Sequence, residues 1–287
     1  MIITIAVDVE TTGVEPGSRM LELAAIAFDE SGAVTDQYVH LVNPGMPIPP
    51  DVTKVNGITD DMVKDAPTAE KVLNGFFGWL PGKLFVGHYA QYDTGIISWE
   101  AGRCGIPIPD DLQVLCTCAM AKENNITKNN KLITIADYYQ LKRIGDDHRA
   151  LSDADLCKQY FLIVKSAMEH EAAAMNSVFK SLAPLPWGAA GHNYQYVDPP
   201  EPVANLPELV AAGTPLSFKY KDAKDEVTER TITPYGWALA DDAVMLHQAI
   251  HAHVNVGSTL HTDEATGYSG VGGLFFDHQT IGSQTRS

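Results

Sequence analysis

Residues 2–13 read Ile2-Ile3-Thr4-Ile5-Ala6-Val7-Asp8-Val9-Glu10-Thr11-Thr12-Gly13. A mostly apolar strand runs straight into two carboxylates, Asp8 and Glu10, one residue apart. Alternate side chains of a strand point to the same face, so these two stand side by side. Like charges at that separation repel, and each favours its protonated form. A divalent cation with a taste for oxygen ligands removes that cost. The same Asp-x-Glu is also what a strand end entering a solvated turn looks like, so these residues alone leave the choice open. Thr11-Thr12-Gly13 is compact, and the glycine lets a ligand approach the backbone closely.

Two further stretches carry candidate residues. Residues 83–93 read Lys-Leu-Phe-Val-Gly-His-Tyr-Ala-Gln-Tyr-Asp, a short buried-strand run that ends at Gly87 and His88. Asp93 then falls in the first turns of an apolar helical pattern, where the helix dipole by itself favours a carboxylate. Residues 148–155 read His-Arg-Ala-Leu-Ser-Asp-Ala-Asp, ahead of a long helical pattern through Leu156, Tyr160, Phe161 and Val164. With His148 in the entry loop and Asp153 in the helix, both can face one point. A start-of-helix role for Ser152 and Asp153, with a solvated His148, is the alternative. His88 reads as a local packing or hydrogen-bonding residue.

Taken together, Asp8-Val9-Glu10-Thr11-Thr12-Gly13, Gly87 to Asp93, and His148-Arg149-Ala150-Leu151-Ser152-Asp153-Ala154 resemble the three motifs of the DEDDh 3′–5′ exonucleases. That family includes the proofreading subunit of bacterial DNA polymerase III. Val42-Asn43-Pro44 through Val55-Asn56-Gly57-Ile58-Thr59 to Ala66-Pro67-Thr68 is similar to the family's segment between the first two motifs. Tyr89 stands where the family often has Asn. The resemblance covers roughly residues 1 to 170. It implies a ribonuclease-H-like fold and hydrolysis of phosphodiester bonds from a 3′ end, releasing nucleoside 5′-monophosphates. It implies two Mg2+ or Mn2+ ions, with Asp8 bridging both, Glu10 and Asp153 on one, and Asp93 supporting the other. His148 becomes the general base, since an imidazole titrates near neutral pH. Thr11, Thr12 and Gly13 become contacts to the terminal nucleotide. Single-stranded or frayed DNA is the expected substrate. An exoribonuclease, or a binding or adaptor module on a nuclease fold, is the alternative.

The net charge of −16 is unusual for a nucleic-acid enzyme, because phosphate contacts come mostly from Lys and Arg. The imbalance runs along the whole chain. It points to a short, local grip on a strand end, or to a partner protein, such as a polymerase, that holds the DNA. No basic leader and no long apolar run occurs, so neither a signal peptide nor a membrane span is expected. Cys116-Thr117-Cys118 has the wrong spacing for a zinc knuckle, and Cys104 and Cys157 complete no pair. Free thiols and a cytoplasmic location follow.

Outward from the first stretch, strands are expected at 2–8, 20–28, 34–42, 83–87 and 112–116. Helices are expected at 68–80, 92–103, 131–140 and 150 to about 181. The fold class is therefore α/β, a mixed five-stranded sheet with flanking helices. Six prolines between 184 and 207 exclude a helix or central strand and mark a linker or wrapping arm. The expected organisation is an exonuclease domain at 1–182, a Pro-rich linker at 183–207 and a small, mainly-β subdomain at 208–287. In that last part, Leu216–Tyr220 and Val227–Thr233 read as strands, and Ser217–Trp237 faintly resembles the start of a WYL domain. His247 and His251, with His253 beside them, are one helical turn apart; they read as an amphipathic helix or as a zinc pair. The Gly-, Ser- and Thr-rich last 20 residues read as partly disordered.

Overall fold

The computed structural model describes residues 3–14, 17–145, 148–173, 183–190, 196, 198, 204–221, 227–240, 243–248 and 274–275. The first strands are β1 (Thr4–Thr11), β2 (Met20–Phe28) and β3 (Val34–Leu41), followed by helices α1 (Pro50–Asn56), α2 (Asp60–Val63) and α3 (Ala69–Trp79). Next come β4 (Leu84–Gly87), α4 (Ala90–Arg103), β5 (Gln113–Cys116), α5 (Thr117–Glu123), α6 (Leu132–Tyr139) and α7 (Ala150–Ala173). A two-residue strand β6 (Leu185–Pro186) and a short helix α8 (Trp187–Ala190) close this part. The sheet order is β3-β2-β1-β4-β5-β6. β1 pairs antiparallel with β2 and parallel with β4, and β4 pairs parallel with β5.

The period-2 alternation of β1 places the site. Ile5, Val7 and Val9 pack on one face, against Val72, Leu73 and Phe76 of α3 and Ile96 and Ile97 of α4. Ala6 faces the other way, against Ala154, Cys157, Tyr160 and Phe161 of α7. Asp8 and Glu10 share the face of Ala6, so they look toward the helix that carries Asp153. Both helix layers are amphipathic: α7 buries Ala150, Ala154, Cys157, Phe161 and Val164 at spacings of three and four. Each fully buried Leu, Ile or Phe contributes roughly 1.5–3 kcal/mol. β2 has all nine residues buried, as a strand covered on both faces requires.

The structure differs from the sequence reading in four places. The sheet has six strands, because Leu185–Pro186 pairs antiparallel with Gln113 and Val114 at the far edge. The Pro-rich segment therefore enters the fold before it leaves it. Trp187 is buried, its ring meeting Phe85 edge-on at 5.0 Å, and its Nε1 donates to Ser98 Oγ at 2.8 Å. Edge pairing suits proline, which has no N–H to give. Second, helices α1, α2 and α5 were not expected. α1 starts on Pro50, α2 is capped by the Thr59 hydroxyl, and α5 starts where β5 ends, so each is set by local capping more than by long periodicity.

Third, His247 lies in a strand. Beyond α9 (Leu206–Ala211), β7 (Leu216–Lys221) and β8 (Val227–Ile232) form the expected hairpin. β9 (Pro234–Ala240), β10 (Ala243–Gln248) and β11 (Leu274–Phe275) form a further sheet. His247 pairs with Gly236 in that sheet, so the helical-turn spacing to His251 does not apply. His251 and His253 lie outside the described residues, as do residues 174–182 of the expected long helix and most of the last 20. Fourth, Glu22 interrupts the apolar run of β2 and is nevertheless buried at 3 % exposure, paired there with Arg149. Among the described residues no helix is long and apolar enough to cross a membrane.

Candidate active site

Asp8, Glu10 and Asp153 each offer a carboxylate oxygen, and these oxygens lie within 4.8 Å of one another. β1 supplies the first two; the first turn of α7 supplies the third, at the helix's positive end. The electrostatic cost is visible. Burial, then Asp93, Glu10, Asp153 and Glu22, hold the Asp8 carboxyl well above the usual carboxylate range. Burial, then Asp153 and Glu22, push Glu10 up to about 8, against a hydrogen bond from Asn56 that pulls it down. Three crowded oxygen donors with no apolar or nitrogen ligand among them suit a hard divalent cation.

Asp93 lies outside that trio but adjoins it. It is 5 % exposed, and its Oδ1 accepts from the backbone N–H of Val9, the residue between Asp8 and Glu10, at 3.2 Å. Burial raises its carboxyl, the Val9 N–H lowers it, and Asp153 raises it further. Gly87 makes room: a Cβ there would sit 3.0 Å from Ala90 and 3.1 Å from Asp93 Oδ2. Tyr89 caps α4 in the left-handed region, at φ 70°. Asn tolerates that region better than Tyr, which gives the resemblance's usual Asn a backbone reason. His148 is exposed, also at positive φ (52°), two residues before α7. It is not one of the residues grouped with the three carboxylates.

The expected substrate contacts are tied into the loop. The Thr11 and Tyr92 hydroxyls lie 2.5 and 2.6 Å from the Gly13 carbonyl oxygen, and 2.6 Å from each other. Thr12 Oγ1 accepts from the Arg19 backbone N–H at 2.8 Å. Arg19 in turn bonds the buried Glu100 at 2.8 Å, which Arg103 also grips. The loop's shape is thus held by side chains of β1, the β1–β2 connection and α4. His88 packs locally, as expected: its ring nitrogens sit 2.9 Å from Thr117 Oγ1 and from the Asn130 carbonyl oxygen. A carbonyl only accepts, so Nε2 carries the proton, and burial holds the imidazole neutral, down to about 4.

Three residues escaped the sequence reading. Glu22 is opposite Glu10 on β2 and takes a bidentate grip from Arg149, at 3.0 and 2.6 Å, plus the Ala150 N–H at 3.0 Å. An acid in an otherwise apolar central strand was the available signal. Asn56, 4 % exposed at the end of α1, has its Oδ1 occupied by the Ile58 N–H at 3.0 Å, which leaves its amide N–H for Glu10. Arg143 reaches Asp153 Oδ1 at 2.5 Å and Ser152 Oγ at 2.9 Å. No sequence signal marked it.

A mixed sheet whose central strand presents paired acids to a helix-borne third acid is the arrangement of metal-dependent nucleases of the ribonuclease-H-like fold. The exonuclease family model, RNase_T, matches residues 5–161, and this chain belongs to that family. DNA polymerase III subunit epsilon of Treponema pallidum is 32 % identical over 160 residues, 54 % of this chain and 73 % of that one. The PolC-type DNA polymerase III of Caldanaerobacter subterraneus is 32 % identical over 157 residues, which is 54 % of this chain but only 11 % of the polymerase. This chain thus spans a small part of such relatives' length. Among solved structures, the nuclease domain of 3′hExo, described as a DEDDh family member bound to rAMP, shares the fold. Its TM-score is 0.52 and its identity 15 %, over 57 % of this chain and 92 % of that one.

Proposed function

We propose that the chain is a metal-dependent 3′–5′ exonuclease that removes nucleoside 5′-monophosphates from single-stranded or frayed DNA. The observation that carries this reading is the convergence of Asp8, Glu10 and Asp153 within 4.8 Å, in a chain of the exonuclease family. These three, with Asp93 beside them, would hold two Mg2+ or Mn2+ ions. When bound, such ions polarise the phosphate and stabilise charge on the attacking and leaving oxygens.

The chain's own residues do the rest. Asp8 and Glu10 are fixed by the β1 ladder, and Glu10 by Asn56, so the donors need no rearrangement. Arg149 offsets part of the Glu22 charge behind Glu10, and the pair anchors the start of α7, which sets Asp153. His148 accepts the proton of the attacking water at a ring nitrogen. Thr11, Thr12 and Gly13 shape the wall that receives the terminal nucleotide. We assign the nuclease to residues 1–182 together with the docked 185–190 stretch, the remaining Pro-rich stretch to a linker, and residues from 208 on to a small β-subdomain. The thiols of Cys104, Cys116, Cys118 and Cys157 are all free, in keeping with a reducing cytoplasm. The Treponema relative is named as a polymerase subunit; a similar partner for this chain would supply a hold on DNA that a net charge of −16 does not.

The test is a timed digestion of 5′-labelled DNA and matched RNA strands, with Mg2+, Mn2+ or chelator. Wild-type protein should shorten DNA from the 3′ end only with metal, and Asp8→Ala should lose several orders of magnitude in rate. Near wild-type activity in purified Asp8→Ala protein would refute the assignment.

A further inference from the structure

Cations are scarce in this chain, with 20 Lys and Arg against 36 acids. Several of the described ones are engaged in ion pairs, some buried and some on the surface. Lys54 pairs with Asp51, Lys64 with Asp61, Lys83 with Asp111 and Lys158 with Asp155, at 2.6, 3.1, 3.2 and 2.8 Å. Arg19 and Arg103 are taken by Glu100, and Arg149 by Glu22. Lys122, Lys128, Lys131 and Lys142 are different. All four are exposed, and none has an ion-pair partner among the described residues. Exposed Lys71, on α3, shares that condition but stands apart from the four in the fold.

Three of these lysines, Lys128, Lys131 and Lys142, adjoin chain segments bonded to residues of the site. β4 and β5 run parallel to β1, so the chain leaves all three at the same end of the sheet. Lys128 and Lys131 flank Asn130, whose carbonyl oxygen is bonded to His88, five residues before Asp93. Lys142 adjoins Arg143, which is bonded to Asp153. Its own N–H is held by Gln159 of α7 at 3.2 Å. Between these two anchors runs α6, which exposes Tyr138 at 63 %. That ring is braced edge-on against Tyr139 at 4.9 Å, and Tyr139 lies on the buried Tyr160. Across the site, the 51–65 segment carries Asp51, Asp60, Asp61 and Asp65, and its two lysines are already paired.

We propose that the span 122–144 is the track along which the strand upstream of the 3′ terminus lies. Phosphates meet Lys128, Lys131 and Lys142, and an unpaired base stacks on Tyr138. The inference rests on the exonuclease reading for the identity of the end that enters the site. The chemistry favours a single strand. Spaced lysines answer a flexible phosphate backbone, and an exposed, braced aromatic ring stacks only with a base freed from its partner. The acidic rim opposite repels the same strand and confines it to one side.

The test uses the full chain and a 5′-fluorescein 12-mer of single-stranded DNA. Binding is read by anisotropy in Ca2+, and cleavage of dinucleotide to 12-mer strands is read in Mg2+. Lys128→Glu/Lys131→Glu should weaken 12-mer binding at least 10-fold at low salt. It should also lower the salt slope of log K by about 1.4, at about 0.7 per single-strand phosphate contact. Its cleavage defect should deepen with strand length. Lys128→Gln/Lys131→Gln should fall between, and Lys71→Glu, which changes the charge on α3 by the same amount as that Gln pair, should shift 12-mer binding less than 2-fold. Equal binding by the double variant, or a loss matched by Lys71→Glu, would overturn the track. Stronger effects on an acidic peptide than on DNA would overturn it too. Wild-type protein that binds the 12-mer through these lysines but never cleaves would sink the exonuclease reading and leave the track standing.

Discussion

Glu10→Gln makes the crowding of carboxylates measurable as stability. In metal-free protein the Glu10 carboxyl is pushed from an ordinary 4.5 up to about 8. The folded state therefore holds a proton that the unfolded chain releases earlier. Stability from neutral Glu10 is fully present below about 4.5 and is lost as pH rises through about 8. At about 1.4 kcal/mol per pH unit, the step from pH 5 to pH 7 removes about 3 kcal/mol. This is an upper bound, since Asp8 and Asp93 share the proton uptake and solvent screens a half-buried group. Gln cannot ionise, and its amide oxygen still accepts from Asn56. In chelator, the variant's Tm should exceed wild type's by little at pH 5 and by roughly 5–10 °C at pH 7.5, at about 2–4 °C per kcal/mol. Saturating Mg2+ should close most of that gap, because wild type gains about 2.7 kcal/mol at one hundred times Kd and the variant gains less. A Tm difference that stays flat from pH 5 to pH 8 in chelator would refute the reasoning.

Three further outcomes are expected. His148→Ala should lose roughly 100- to 10,000-fold in single-turnover rate and flatten the rise of rate with pH; an intact pH profile would remove His148 as the base. Arg143→Gln frees Asp153 from a partly exposed ion pair, so Mn2+ affinity by calorimetry should tighten by up to about 5-fold; weaker binding would show that the guanidinium orients the carboxylate instead. Tyr92→Phe removes a buried hydroxyl that braces Gly13 and Thr11, and should cost about 1–2 kcal/mol in urea denaturation; an unchanged midpoint would show that Thr11 holds the loop alone.

The sequence was most legible where a period and a chemical oddity coincided. β1 shows both: an apolar run for the sheet, then two acids on one face. The acids at 93 and 153 gained meaning only together with it, since each alone is an ordinary helix-start residue. Glu22 was equally visible, as a charge within β2, but its partner Arg149 lies 127 residues away and nothing local pairs them. Asn56 and Arg143 were not legible. Asn56 acts from the end of a short helix and Arg143 from an irregular stretch, and neither place leaves a periodic trace. His247 shows the converse error, a helical spacing read into a segment that ladder pairing with β9 makes extended.

The burial of Trp187 bears on where this molecule can be cut. The ring fills space between Phe85 and the helix that carries Asp93, and its backbone N–H is bonded to Leu112 at 3.0 Å. A fragment stopped at 182, the boundary that the helical pattern suggests, loses a wall of the compartment beneath Asp93. Limited proteolysis should leave a resistant core that continues past 190. Any minimal enzyme made from this chain should carry those few extra residues, or it will be a nuclease with an open floor.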